Sequence, residues 1–172
     1  MRVFWKWCGL VLALGGLTSV GLAQSGEANA ALKSCGPFGV NFRIKTADTR
    51  PAAKIQPGTA LVYFIADDHG TVLTTPTTLV GLDGQWVGAS HGSSWLYLQV
   101  PPREHHLCAM TEDAGKALAH FTAAAGGVYY FVAKDLTWEG YTGWTELSLE
   151  PLDSDEGQYL VDTEAFSASQ KR

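Results

Sequence analysis

The sequence predicts an all-β fold, an antiparallel β-sandwich of about seven to nine strands with one short C-terminal helix candidate. Three observations predict it. Apolar residues alternate with period two over many short stretches. Turn signals separate those stretches at short, regular spacing. Between residues 36 and 150 no stretch carries a helical period. The chain has 172 residues, and they divide as follows.

Residues 1–23 read as a secretory signal peptide. Arg2 and Lys6 precede an apolar run from Cys8 to about Leu22, and Gly21 and Ala23 suit a signal peptidase cutting after Ala23. The run is broken by Gly15, Gly16, Thr18 and Ser19 and is short for a membrane span, so no span is expected after cleavage. Lipidation is not expected either, because Cys8 precedes the apolar run and Cys35 follows Lys33 where a small residue is needed. Residues 24–36 read as a flexible N-terminal segment, 37–163 as a single β-sandwich domain, and 164–172 as a loose tail.

Within the domain, 60–66 places Leu61, Tyr63 and Ile65 on one face and Val62, Phe64 and Ala66 on the other. Residues 94–100 place Leu96, Leu98 and Val100 opposite Trp95, Tyr97 and Gln99. Residues 127–133 and 144–150 alternate likewise, and shorter strands fit 40–45, 77–81, 85–89, 105–111 and 117–123. The helix candidate is 153–166, weakened by Gly157.

The full chain carries 12 Lys+Arg against 17 Asp+Glu, a net charge of −5. Cleavage after Ala23 leaves ten cations against the same 17 carboxylates, or −7. An acidic chain with scattered cations lacks the basic stripe of a nucleic-acid binder. Cys35 and Cys108 survive cleavage as an even pair, and a disulfide is the simplest expectation in an oxidising compartment.

Residues 88–92 spell Gly-Ala-Ser-His-Gly, the Gly-x-Ser-x-Gly string that presents a nucleophile in one hydrolase class. Asp113 and His120 follow in that class's chain order. The string demands a helix after the serine, and the strand 94–100 follows instead. It therefore reads as a hairpin loop, with Ser90 outside any catalytic role.

The surroundings are more specific. Asp83-Gly84, Gly88 and Gly92 precede an aromatic-rich strand, the Pro101-Pro102 turn and His105. With the strand "PGTALVYF" from Pro57, "GGVYYFVAKD" at 126–135 and the acidic "DSDEGQYL" at 153–160, this resembles a bacterial family of envelope proteins of unknown function, often lipoproteins. The resemblance spans roughly 57–160 and implies an envelope β-sandwich with no known activity. Arg103 stands where the family has glycine, and the lipobox of many members is missing.

The histidines are His69, His91, His105, His106 and His120. His105 and His106 are neighbours on a strand and point to opposite faces, so they cannot share one ion. His105 is expected to hydrogen-bond loop backbone, and Asp67, Asp68 and His69 have the composition of a turn. No metal or cofactor is expected. Trp138, Tyr141 and Trp144 recur every three residues, a spacing that suits either aromatic packing or a surface that stacks on sugar rings. Trp95 and Tyr97 would extend that surface if their strand face is uncovered.

These readings converge on a non-catalytic periplasmic or secreted β-sandwich, an envelope structural or interaction module whose partner is an envelope protein or cell-wall glycan. The alternatives are a glycan-binding module using 138–144, or a small hydrolase using surface Asp, Glu or His residues.

Overall fold

The computed structural model describes residues 35–37, 39–67, 75–112, 114–137 and 145–172. Their strands are β1 (Phe42–Ala47), β2 (Ala60–Asp67), β3 (Thr77–Leu82), β4 (Gln85–His91), β5 (Ser94–Val100), β6 (Glu104–Thr111), β7 (Gly115–Thr122), β8 (Val128–Thr137), β9 (Thr145–Leu152) and β10 (Ala165–Lys171). One helix, α1 (Ser154–Thr163), lies between β9 and β10. The all-β class and the single C-terminal helix agree with the sequence. Each of the nine expected strands is present, and β10 makes a tenth.

The strands form two sheets, ordered β1-β10-β5-β2-β8-β9 and β4-β3-β6-β7. The four-stranded sheet is antiparallel throughout. The six-stranded sheet is mixed, because β2 runs parallel to β8 and β10 runs parallel to β5. Alternation in sequence carries face but not strand direction, so these two pairings depart from the expected wholly antiparallel arrangement.

Packing follows the alternation. Val62, Phe64, Leu96, Phe131 and Leu149 of the larger sheet meet Val80, Leu107 and Ala109 of the smaller one in the main core. The opposite face of the larger sheet, with Tyr63, Ile65, Trp95, Tyr130 and Val132, is covered by Val161 and Leu160 of α1. Trp95 is only 1% exposed and packs edge-on against Phe166. Trp95 is therefore removed from any binding surface, while Tyr97 is half-buried beside Phe166 and lines a cleft along β10.

The expected tail at 164–172 is instead β10, paired with β1 from Phe42↔Lys171 to Ala47↔Phe166. Its serines and alanines offer little apolar alternation, so its strand character comes from β1 and not from its own sequence. The end of the expected flexible segment is also fixed. Cys35 is buried in a disulfide with Cys108, with Cα atoms 5.0 Å apart. Residues 1–34, including the signal-peptide reading, lie outside the described residues.

Gly157 explains itself through packing. A Cβ there would fall 2.2–2.6 Å from the Tyr130 side chain. Gly157 thus lets α1 sit directly on the ring, whose hydroxyl donates to Gln158 Oε1 at 3.1 Å. Gly157→Ala should gain about 1 kcal/mol of helix propensity but lose about 1–3 kcal/mol to overpacking. With contacts this short the loss dominates, so urea unfolding should show a lower midpoint at unchanged slope.

Candidate functional site

The chain crosses between the sheets on both sides of β5, and a buried polar cluster fixes each crossing. The first follows Ser90. Residues 88–91 belong to β4, and the turn is only Gly92-Ser93, leading from the smaller sheet to the larger. This corrects the hairpin expectation: the string ends a strand and turns a corner between layers. Gly92 has φ +62°, and a Cβ on it would lie 2.7 Å from Thr75 Cγ2. Gly88 is not a turn residue. It lies in β4, where a Cβ would press Leu96 at 3.0 Å.

Ser90 is fully buried. Its Oγ lies 2.6 Å from Ser94 Oγ and donates to the Ser94 carbonyl at 3.0 Å, and Ser94 Oγ lies 3.1 Å from Ser167 Oγ. The hydroxyls satisfy one another where β4, β5 and β10 meet. The neighbouring His91 is exposed, its Nδ1 3.2 Å from Thr77 Oγ1. Among the described residues no base reaches Ser90, and its hydroxyl is closed off from solvent, so it holds the corner.

The second crossing is the Pro101–Arg103 turn from β5 to β6. His105, 0% exposed, sits just beyond it. Its Nδ1 lies 2.7 Å from Asp83 Oδ2 and its Nε2 lies 2.8 Å from the Pro101 carbonyl. Both ring nitrogens thus face an oxygen of the fold, one a carboxylate and one a carbonyl. Asp83 begins the β3–β4 turn with φ +49°, followed by Gly84 at +83°, the two positive angles of a type I′ hairpin. That turn aims the carboxylate: Oδ2 also accepts from Arg103 at 2.7 Å, and Oδ1 accepts the His106 N–H at 3.0 Å. Arg103 thus joins the same carboxylate from solvent. Sequence reasoning placed His105 against loop backbone and Asp83 in a turn, but not the contact between them across 22 residues.

Burial pushes the Asp83 carboxyl up. The hydrogen bonds from His106 and His105, with the charges of His105 and Arg103, outweigh it and hold Asp83 below the ordinary carboxylate value.

His106 points the other way, its ring 5.5 Å from that of His120, whose Nε2 is 3.2 Å from Glu104 Oε1. Among the described residues no three His, Cys, Asp or Glu converge to hold a metal. Tyr63 and Tyr130 stack at 5.0 Å, and burial first, then neighbouring charge, pushes both phenols up, which leaves them neutral. Trp138, Tyr141, Trp144, Asp68, His69 and Asp113 lie outside the described residues.

What is open to a ligand is a groove that sequence reasoning did not find. Cys35 bonds to Cys108 on the outer face of the smaller sheet, and Trp86 Nε1 donates to the Pro37 carbonyl at 2.7 Å. Trp86, Gly81 and Cys108 form one row across β4, β3 and β6. Gly81 has no side chain, so the indole and the disulfide share that space. The chain after Cys35 is thereby strapped across this face before entering β1.

Between strap and sheet lies a cleft of about 810 Å³. Val40, Phe42 and Ile44 form its wall, and Leu79, Met110 and Lys116 are among its floor residues. Glu112 is the one carboxylate lining it among the described residues. Two smaller clefts, of about 330 and 210 Å³, flank β10.

Comparison with protein-family models, curated proteins and solved structures returns no match to this chain.

Asp83→Asn keeps the turn, since asparagine tolerates positive φ, but removes the charge facing His105 and Arg103. It should cost about 1–3 kcal/mol. A carboxyl held below its unfolded value stabilises the fold above about pH 4, and that stabilisation is lost as pH falls through the folded value. Urea midpoints should therefore show the native protein's advantage over the variant shrinking below about pH 4.

Proposed function

We propose that the chain is a non-catalytic module of the cell envelope, exported to an oxidising compartment, that holds a partner in the groove beneath its N-terminal strap. One observation carries the reading: a groove of mixed apolar and polar lining stays open beside a disulfide-fixed strap, while the motif serine and histidine are consumed in fixing the two crossings. Concave apolar surface with a few polar groups at its rim is the usual form of a binding site. Further support comes from the Cys35–Cys108 disulfide and the signal-like N-terminus. No helix among the described residues is long and apolar enough to cross a membrane.

A photo-crosslinking residue at Thr77, in the groove, should capture a discrete envelope partner in cells. The same residue at Glu150, exposed on β9, should not. Equal capture at both positions, or none at either, would overturn the reading. Co-sedimentation with cell-wall sacculi, abolished by Trp138→Ala/Trp144→Ala and not by groove variants, would replace it with the glycan-binding alternative.

A further inference from the structure

Among the described residues, β1 ends the six-stranded sheet and pairs with β10 alone. No β10 residue lines the groove, so the groove lies on the unpaired side of β1. This edge, unpaired among the described residues, is about 20 Å long at the usual rise per residue. Phe42 and Ile44 face the groove, alternating with exposed Arg43 and Lys45.

Charge points the same way. The β1–β10 ribbon with Arg172 holds Arg43, Lys45, Lys171 and Arg172 and contains no Asp or Glu, within a chain of net charge −5. None of the four forms an ion pair with a described residue.

Resting on the interaction-module reading, we infer that the groove takes an extended segment of a partner protein, alternating apolar and acidic residues, which adds as a strand to the free edge of β1. Backbone bonds to β1 supply the pairing, apolar side chains drop onto Leu79 and Met110, and the acidic set, on the opposite face, meets Arg43 and Lys45. The competing role for edge cations is protection against strand pairing. The two roles differ in outcome, since protective cations repel basic strands without recruiting acidic ones.

The probe is a capped seven-residue peptide of alternating glutamate and valine, titrated against the disulfide-bonded protein. Hydrogen exchange at 42–47 is followed alongside. Two further versions are N-methylated at only the odd or only the even residues, and a fourth replaces glutamate with lysine. The parent peptide should bind and slow exchange in β1. One N-methylated phase, the one aimed at β1, should lose binding while the other keeps it, and the lysine peptide should not bind.

Arg43→Glu/Lys45→Glu should weaken the parent by about tenfold, as expected for two exposed charges. Binding by both N-methylated phases, unchanged exchange in β1, equal affinity for the lysine peptide, no loss in the double variant, or no binding at all would each overturn the inference. Peptide failure with successful crosslinking at Thr77 leaves the interaction module standing without strand addition. Failure of the crosslink removes both.

Discussion

The bond between Cys35 and Cys108 is the constraint on which the accessible side of this molecule depends. Cys108 lies in β6, in the interior of the smaller sheet, and Cys35 is the first described residue of the chain. Joining them closes a separation of 73 residues, worth about 4 kcal/mol by the chain-entropy estimate. Against a typical net stability of about 5–15 kcal/mol, that is a large share. Its structural effect is local. It lays the strap over Trp86, leads into β1, the antiparallel partner of β10 among the described residues, and leaves the groove as the space that strap and sheet do not fill.

The buried polar groups explain why the motif-like residues do not make an active site. Each crossing beside β5 carries the chain from one layer to the other, where ladder bonds cannot continue and backbone groups need other partners. At one crossing three serine hydroxyls close on one another. At the other, a buried imidazole ring spans a carboxylate and a carbonyl. Catalysis would need one of these groups to face a substrate. Instead each has its hydrogen-bonding capacity filled from within the fold.

Much of the fold was legible in the sequence because alternation reports burial directly. The inner and outer faces of 60–66 and 94–100 could be assigned residue by residue, and the Asp83-Gly84 turn and the cysteine pair followed from local chemistry. Long-range relations were not legible. The β2–β8 parallel pairing joins residues more than sixty positions apart, and nothing in either strand encodes its direction. β10 was missed because Ser167, Ala168 and Ser169 carry no apolar face. Gly157 looked like a helix weakener until the Tyr130 ring appeared against it. The groove was hidden for the same reason: it exists only once β1 folds over a face that β3, β6 and β7 build.

The most direct test is hydrogen exchange on the intact protein and on protein with the disulfide reduced and alkylated. If the staple organises the strap and groove, protection should fall at 42–47 and 165–171. It should persist at 60–67 and 128–135, within the main core. Unchanged protection in β1 and β10 would contradict the account, since the strap would then hold without its staple. Simultaneous loss across both sheets would contradict it as well, by making the bond a global clamp with no particular claim on the groove.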